Sequence, residues 1–277
     1  MRLGGPVFPS RLEPDQWITA LQSRGYRAAY CPASAQDSVK LIQDYAQAAR
    51  QADIVIAEVG AWSNPLSPDE PTRQSALQHR QQQLSLADEI GALCCVNIAG
   101  SRDERWDGPH PLNLTQETFD RIVETVRKII DAVQPRRTFY TLETMPWMYP
   151  DSADSYLALI RAIDRPQFAV HFDPVNLICS PQRYYGNVRL VQEFFEKLGH
   201  FVKSCHAKDV RLRNTLTVHL EEVRAGLGEL DYAAFFKAAN QVNPNLPLMI
   251  EHLETEQEYE QAASYLKFIA GKNGESL

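Results

Sequence analysis

Four short apolar runs each close on a side chain able to ligate a metal or carry a proton. They are Glu143 in Thr141-Leu142-Glu143-Thr144, Asp173 in His171-Phe172-Asp173-Pro174, His206 in Cys205-His206-Ala207-Lys208-Asp209, and Glu251 in Met249-Ile250-Glu251-His252. An apolar run tolerates a lone carboxylate badly, because an unpaired charge out of water is costly. A single case reads most simply as a helix cap or a salt bridge. Four in succession ask for a common partner. Three carboxylates and one imidazole make a hard, oxygen-rich ligand set with open positions. That set suits one divalent ion, Mn²⁺ first, with Mg²⁺, Co²⁺ or Zn²⁺ as alternatives.

Such scattered residues meet only if the fold gathers strand ends. The runs read as strands are Tyr26–Cys31, Ile54–Val59, Leu93–Ile98, Thr138–Glu143, Phe168–Phe172, Val202–His206 and Leu248–Glu251. Several are apolar nearly throughout, as in parallel strands covered on both faces. Helical periodicity fills the intervals, at Ser38–Gln51, Ser75–Ile90, Phe119–Val133, Ser152–Ile163, Arg189–Leu198, Tyr232–Val242 and Glu256–Ile269. Strand-then-helix repeated this often implies a parallel sheet, and eight units close a barrel. The expectation is an α/β chain folded as one (β/α)8 TIM barrel over residues 1–277, a length that suits a fold of ~250 residues. The first strand must come from residues 2–8, where Gly4-Gly5-Pro6 makes it short or irregular. The longest insertions, Trp62–Thr72, Gly100–Thr115 and Val210–Leu230, all follow strand C-termini, where barrel enzymes build their sites.

Softer candidates surround the four. Glu58 ends a strand and is placed either on a substrate hydroxyl or in a structural salt bridge. Trp62 and Trp147 offer apolar walls for the C–H face of a sugar, or ordinary packing. Asn97 and Arg102 bracket the end of the fourth strand. Lys208 shares the inward face with His206 by period-2 alternation. His171 shares Asp173's face and reads as a supporting or core histidine, whereas His252 should point away from the site. Gly226-Leu227-Gly228 offers backbone amides to a phosphate, with a simple turn into the helix at Asp231 as the plainer reading.

The formal charge of −7 argues against nucleic acid or an anionic membrane as partner. The N-terminus lacks the apolar core of a signal peptide, and no run of ~18 apolar residues occurs. Five cysteines without a C-x-x-C spacing argue against disulfides and a thiolate zinc site. A reduced, cytoplasmic protein is expected, and a homo-oligomer is left open.

Leu142-Glu143-x-Met145-Pro146-Trp147, Phe172-Asp173-Pro174-Val175-Asn176, His206-Ala207-Lys208-Asp209 and Gly226-Leu227-Gly228-Glu229-Leu230-Asp231-Tyr232 together resemble the xylose isomerase-like TIM-barrel superfamily of sugar phosphate isomerases and epimerases. The resemblance covers nearly the whole chain. It implies a metal quartet at Glu143, Asp173, His206 and Glu251, with Glu143 and Glu251 also moving substrate protons. The activity it implies is isomerisation or epimerisation of a small polyhydroxylated carbonyl substrate through an enediolate. Two departures matter. Asn176 stands where many ketose epimerases of the family carry a substrate-contacting histidine, and the His-x-Lys-Asp form with Lys208 is similar to that of inosose dehydratases. A metal-dependent dehydratase is therefore the alternative. An endonuclease IV-like phosphodiesterase would need further histidines and a basic surface, and a non-catalytic sugar-binding barrel would leave the quartet unexplained.

Overall fold

The computed structural model describes all 277 residues. In chain order the elements are β1 (Arg2–Gly4), α1 (Pro14–Ser23), β2 (Ala28–Tyr30), α2 (Val39–Gln51), β3 (Val55–Gly60), α3 (Glu70–Ile90), β4 (Cys94–Asn97), α4 (Gln116–Val133), β5 (Phe139–Glu143) and α5 (Ala153–Ile163). There follow β6 (Phe168–Phe172), the short helices α6 (Pro174–Leu177) and α7 (Pro181–Tyr185), α8 (Asn187–Leu198), β7 (Val202–Ala207), a hairpin β8 (Asp209–Arg213) and β9 (His219–Val223), α9 (Tyr232–Val242), β10 (Pro247–Ile250) and α10 (Glu256–Lys272). The strands β1-β10-β7-β6-β5-β4-β3-β2 pair in that order into a closed parallel barrel, the (β/α)8 arrangement expected.

Six of the eight longer helices open on a side-chain cap. Ser38, Asp69, Thr115, Ser152, Asp231 and Thr255 each accept from the amide three residues on, which supplies one of the donors a helix start leaves unpaired. One apolar core of 62 buried residues runs from Met1 to Ala270 between the barrel and the helix ring. The first strand is three residues long, as the early glycines implied. Gly4 is obligatory there, because a Cβ would lie 2.5 Å from the Ala28 carbonyl oxygen and 2.6 Å from Met249 Sδ.

The insertion over residues 210–230 carries an element the sequence does not announce. Here β8 and β9 form a two-stranded antiparallel sheet outside the barrel. Asp209 anchors its base. Its Oδ1 accepts from the amides of Val210 and Leu230, and its Oδ2 from that of Gly226, each at 2.9 Å. In the Gly226-Leu227-Gly228 turn the first amide thus serves Asp209 and the second the Arg224 carbonyl, and the turn reading holds.

Register fixes which residues reach the mouth. Glu143 lies level with His171 and Met249 with His206. Asp173 and Glu251 therefore sit two residues further toward the C-terminal end, on the same inward face.

Candidate metal centre and substrate pocket

Glu143, Asp173, His206 and Glu251 converge at the C-terminal mouth, with one ligand atom from each lying within 4.8 Å of all the others. Each is held from a different strand. Asp173 is also a helix cap: its Oδ1 accepts from Val175 and Asn176, and Pro174 follows at the first helical position. The cap uses one oxygen and leaves Oδ2 facing the cluster. Thr144 pins the segment, donating from Oγ1 to the Asp173 carbonyl (2.8 Å) and accepting from its amide (3.1 Å). His206 Nδ1 lies 2.7 Å from Glu251 Oε1 and 3.1 Å from Glu143 Oε1. Asn176 Nδ2 donates to the same Glu143 oxygen at 3.1 Å.

The quartet fits a divalent ion on its own geometry. Asp173 Oδ2 and Glu251 Oε1 are buried and accept no well-directed hydrogen bond. Lys208 Nζ is close to both, at 2.8 Å and 2.6 Å, so a cation already stands where a divalent ion would bind. Buried acceptors without a donor are rare and call for an explanation. A second cluster, Glu58, His171 and His206, shares His206 but turns its groups on one another. Glu58 lies 3.0 Å from His171 Nε2 and 3.3 Å from His206 Nε2, and Ser204 Oγ donates to it. A carboxylate behind a histidine ring fixes the tautomer that leaves Nδ1 for a metal.

Charge is shifted throughout the cluster. Burial disfavours ionisation of Glu58, but His171 and His206 outweigh it and hold the carboxyl at about 2. Burial raises Asp173 to about 6 despite Lys208. For His206 and Lys208 burial works against the cation, yet the surrounding carboxylates win and both are pushed well above their ordinary ranges. Glu143 and Glu251 are held below theirs, the burial cost being exceeded by His206 and Lys208.

A cavity of about 500 Å³ opens onto the cluster, with Tyr30, Trp62, Ile98, Trp106, Met145 and Tyr259 among its apolar walls. Glu143, Asn176, Lys208 and Glu251 supply the polar floor, and Asp107, Glu222 and His252 the rim. Of the quartet, only the two glutamates line this cavity; Asp173 and His206 are fully buried beneath it.

Four anticipated residues lie off the cavity wall. Glu58 is sealed behind His171 and His206, in the salt-bridge role. Asn97 turns its amide to the Ala61 and Ser63 carbonyls. Arg102 pairs with Glu117 at 3.4 Å. Trp147 donates from Nε1 to the Asp107 carbonyl and so braces the loop instead of facing the cavity. Arg80, fully buried with no carboxylate partner, spends its donors on Ser63, Ile98 and Tyr140. It locks together the loops carrying Trp62 and Ile98. His252 corrects an expectation: it turns onto the rim at φ 58°, with Nδ1 3.0 Å from Glu222 Oε1. Left-handed backbone at a non-glycine residue is not foreseeable from alternation. Glu222 and Trp106 also escaped notice, although both lie within insertions that follow strand C-termini.

Among solved structures, the chain resembles D-psicose 3-epimerase from Clostridium cellulolyticum H10, crystallised with D-tagatose, at TM-score 0.69 and 14% identity, covering 99% of this chain and 100% of that one. The probable 3-DHS dehydratase AsbF of Bacillus anthracis aligns at 0.71 and 13%, covering 97% and 98%. A xylose isomerase-like TIM barrel protein from Mycobacterium smegmatis, in complex with magnesium, aligns at 0.66 and 15%, covering 97% and 94%. No curated protein gives a significant sequence match. At these identities the alignments speak for the fold alone, but the sequence model for the xylose isomerase-like TIM barrel matches residues 18–269, and the chain belongs to that family.

Proposed function

We propose that this protein is a divalent-metal-dependent isomerase or epimerase that moves protons at a carbon beside a carbonyl in a small polyhydroxylated substrate. The observation that carries the reading is the division within the quartet. Asp173 and His206 are fully buried and do not line the cavity, whereas Glu143 and Glu251 both line it. Glu143, Asp173, His206 and Glu251 would hold the ion, Mn²⁺ or Mg²⁺ by their ligand chemistry. Bound there, it would supply Lewis-acid polarisation of a carbonyl oxygen.

The protein's own groups do the proton work. One glutamate carboxylate accepts the substrate proton and the other glutamate, or the same one, returns it. Both are ionised and ready to accept, since His206 and Lys208 hold them below the usual carboxylate range. Asn176 fixes the rotamer of Glu143.

Glu143→Gln and Glu251→Gln are each expected to lower turnover by roughly 10²–10⁴-fold, with metal saturating and measured in both. The assay is deuterium incorporation from D₂O into a panel of sugars and inososes, read by NMR. Metal-replete variants that both retained wild-type exchange would move the proton-transfer pair elsewhere. A dehydratase is the second reading, favoured by Lys208, whose ammonium lines the cavity 2.6 Å from Glu251 and can donate to a departing hydroxyl. Loss of water in the product mixture separates the two.

A further inference from the structure

We propose that the pocket takes an uncharged sugar and rejects phosphorylated and carboxylated ones. The proposal rests on the reading of this cavity as a sugar-converting site and narrows its substrate class.

A phosphate or remote carboxylate on the substrate needs a free cation or a nest of free amides. The cavity offers neither. No arginine lines it. Lys208, the one lysine, is already engaged by Asp173 and Glu251, with Glu222 3.6 Å away. His252 is engaged by Glu222. In the glycine turn that resembles a phosphate cradle the Gly226 amide is bound to Asp209 and the Leu227 amide to the Arg224 carbonyl, and Arg102 is turned to Glu117. What remains on the wall is anionic: Glu143, Glu222 and Glu251, with Asp107 paired to Arg105 at 2.7 Å. With Asp173 beneath, four carboxylates face one lysine, a formal balance of −3 with His206 neutral as a ligand and before the rim histidine is counted. A divalent ion brings that only to about −1, so the field still opposes an anion.

The same wall suits a neutral polyol. Carboxylates accept hydrogen bonds from hydroxyls, and Glu222 and Asp107 stand at the rim to do so. The Trp62 and Trp106 rings, 6.4 Å apart and edge-on, give an apolar surface for C–H faces. Glu222 arrives on β9, opposite Val210, while its neighbour Glu221 faces outward to Arg211 and Arg213. The hairpin thus places one acidic group over the mouth, making Glu222 a specificity residue.

The test is binding, read by saturation-transfer NMR and calorimetry on the Mn²⁺-loaded protein. The probes are D-fructose, D-fructose 6-phosphate and D-gluconate, alongside other free ketoses with their terminal phosphates. Free sugars are expected to bind at least about tenfold more tightly than their phosphates, a difference of ~1.4 kcal/mol. Glu222→Lys, at a half-exposed position outside the metal quartet, is expected to narrow or invert that ratio. Equal or tighter binding of the phosphates by the wild type, no detectable binding of any free ketose, or an unchanged ratio in the variant would each overturn the proposal. Solvent exchange into a phosphorylated sugar would defeat it while leaving the proposed activity intact. Selective binding of free sugars with no exchange would do the reverse.

Discussion

Lys208 sits where a cation is wanted before any metal arrives. Its ammonium touches two of the four ligands, at 2.6 Å and 2.8 Å, and stands 3.7 Å from a third. Lys208→Met keeps the stem and removes the charge. The metal-free variant is expected to lose on the order of 3–5 kcal/mol of stability, as broken buried pairs do. Its affinity for Mn²⁺ should rise by at least about tenfold, since no tethered cation then competes or repels. Thermal melts and calorimetry with and without Mn²⁺ measure both, and an unchanged or weaker affinity would refute the competition. His206 sets the pH dependence of the same titration. The carboxylates hold its ring protonated well above the free value of about 6.5, and a histidine must lose that proton to ligate. Metal affinity should therefore climb as pH rises. The ring's contribution to metal-free stability has the opposite sign: fully present below the unfolded pKa, it is lost as pH rises through the raised folded one.

At the level of elements, the hairpin β8–β9 depends on Gly228 packing against Asp209. A Cβ at position 228 would lie 2.3 Å from Asp209 Oδ1 and 2.3 Å from the Val210 carbonyl oxygen. Gly228→Ala must displace backbone, so the hairpin base should open and carry Glu222 off the mouth. We expect faster amide exchange over residues 209–230, weaker substrate binding and little change in metal affinity. Protection equal to wild type would show that the turn absorbs the methyl group. The sequence made the strands and most helices legible because short, nearly continuous apolar runs alternated with runs of period 3.6. It showed Glu143, Asp173, His206 and Glu251 because ionisable groups stand out against apolar strands. The hairpin was hidden: Asp209–Arg213 and His219–Val223 are charged, partly exposed and anchored by Asp209 rather than by an apolar face. Glu58, Asn97 and Arg102 had suitable chemistry and strand-end positions, but sequence spacing cannot reveal that a nearer histidine, carbonyl or glutamate claims each one first.

Over the whole molecule, 35 acidic residues outnumber 28 basic ones, giving a net charge of −7. Association with a polyanion is driven by counterion release from basic patches, and the acidic cavity mouth provides no such patch. No helix is long and apolar enough to cross a membrane. The protein is expected not to bind duplex DNA, with or without abasic sites, in low-salt anisotropy titrations. Binding that weakens steeply with added salt, or metal-dependent cleavage, would revive the phosphodiesterase reading.

The placement of the indole rings has an optical consequence. The chain holds four tryptophans. Trp17 is 2% exposed and packed edge-on against Tyr45 at 5.6 Å, on the far side of the helix ring from solvent. Trp62, Trp106 and Trp147 are 42%, 38% and 39% exposed, and Trp62 and Trp106 line the cavity while Trp147 bonds the carbonyl of Asp107, next to Trp106. Emission from the protein should therefore divide into a constant blue component and a red component that reports only on the mouth. A bound sugar that dehydrates Trp62 and Trp106 should shift the red component toward the blue and shield it from iodide, leaving the Trp17 component unmoved. Ligands can then be ranked from unlabelled protein, without waiting for turnover, and Trp106→Phe should remove much of the response. A sugar that binds by calorimetry yet leaves the emission unchanged would have to lie somewhere other than against those rings.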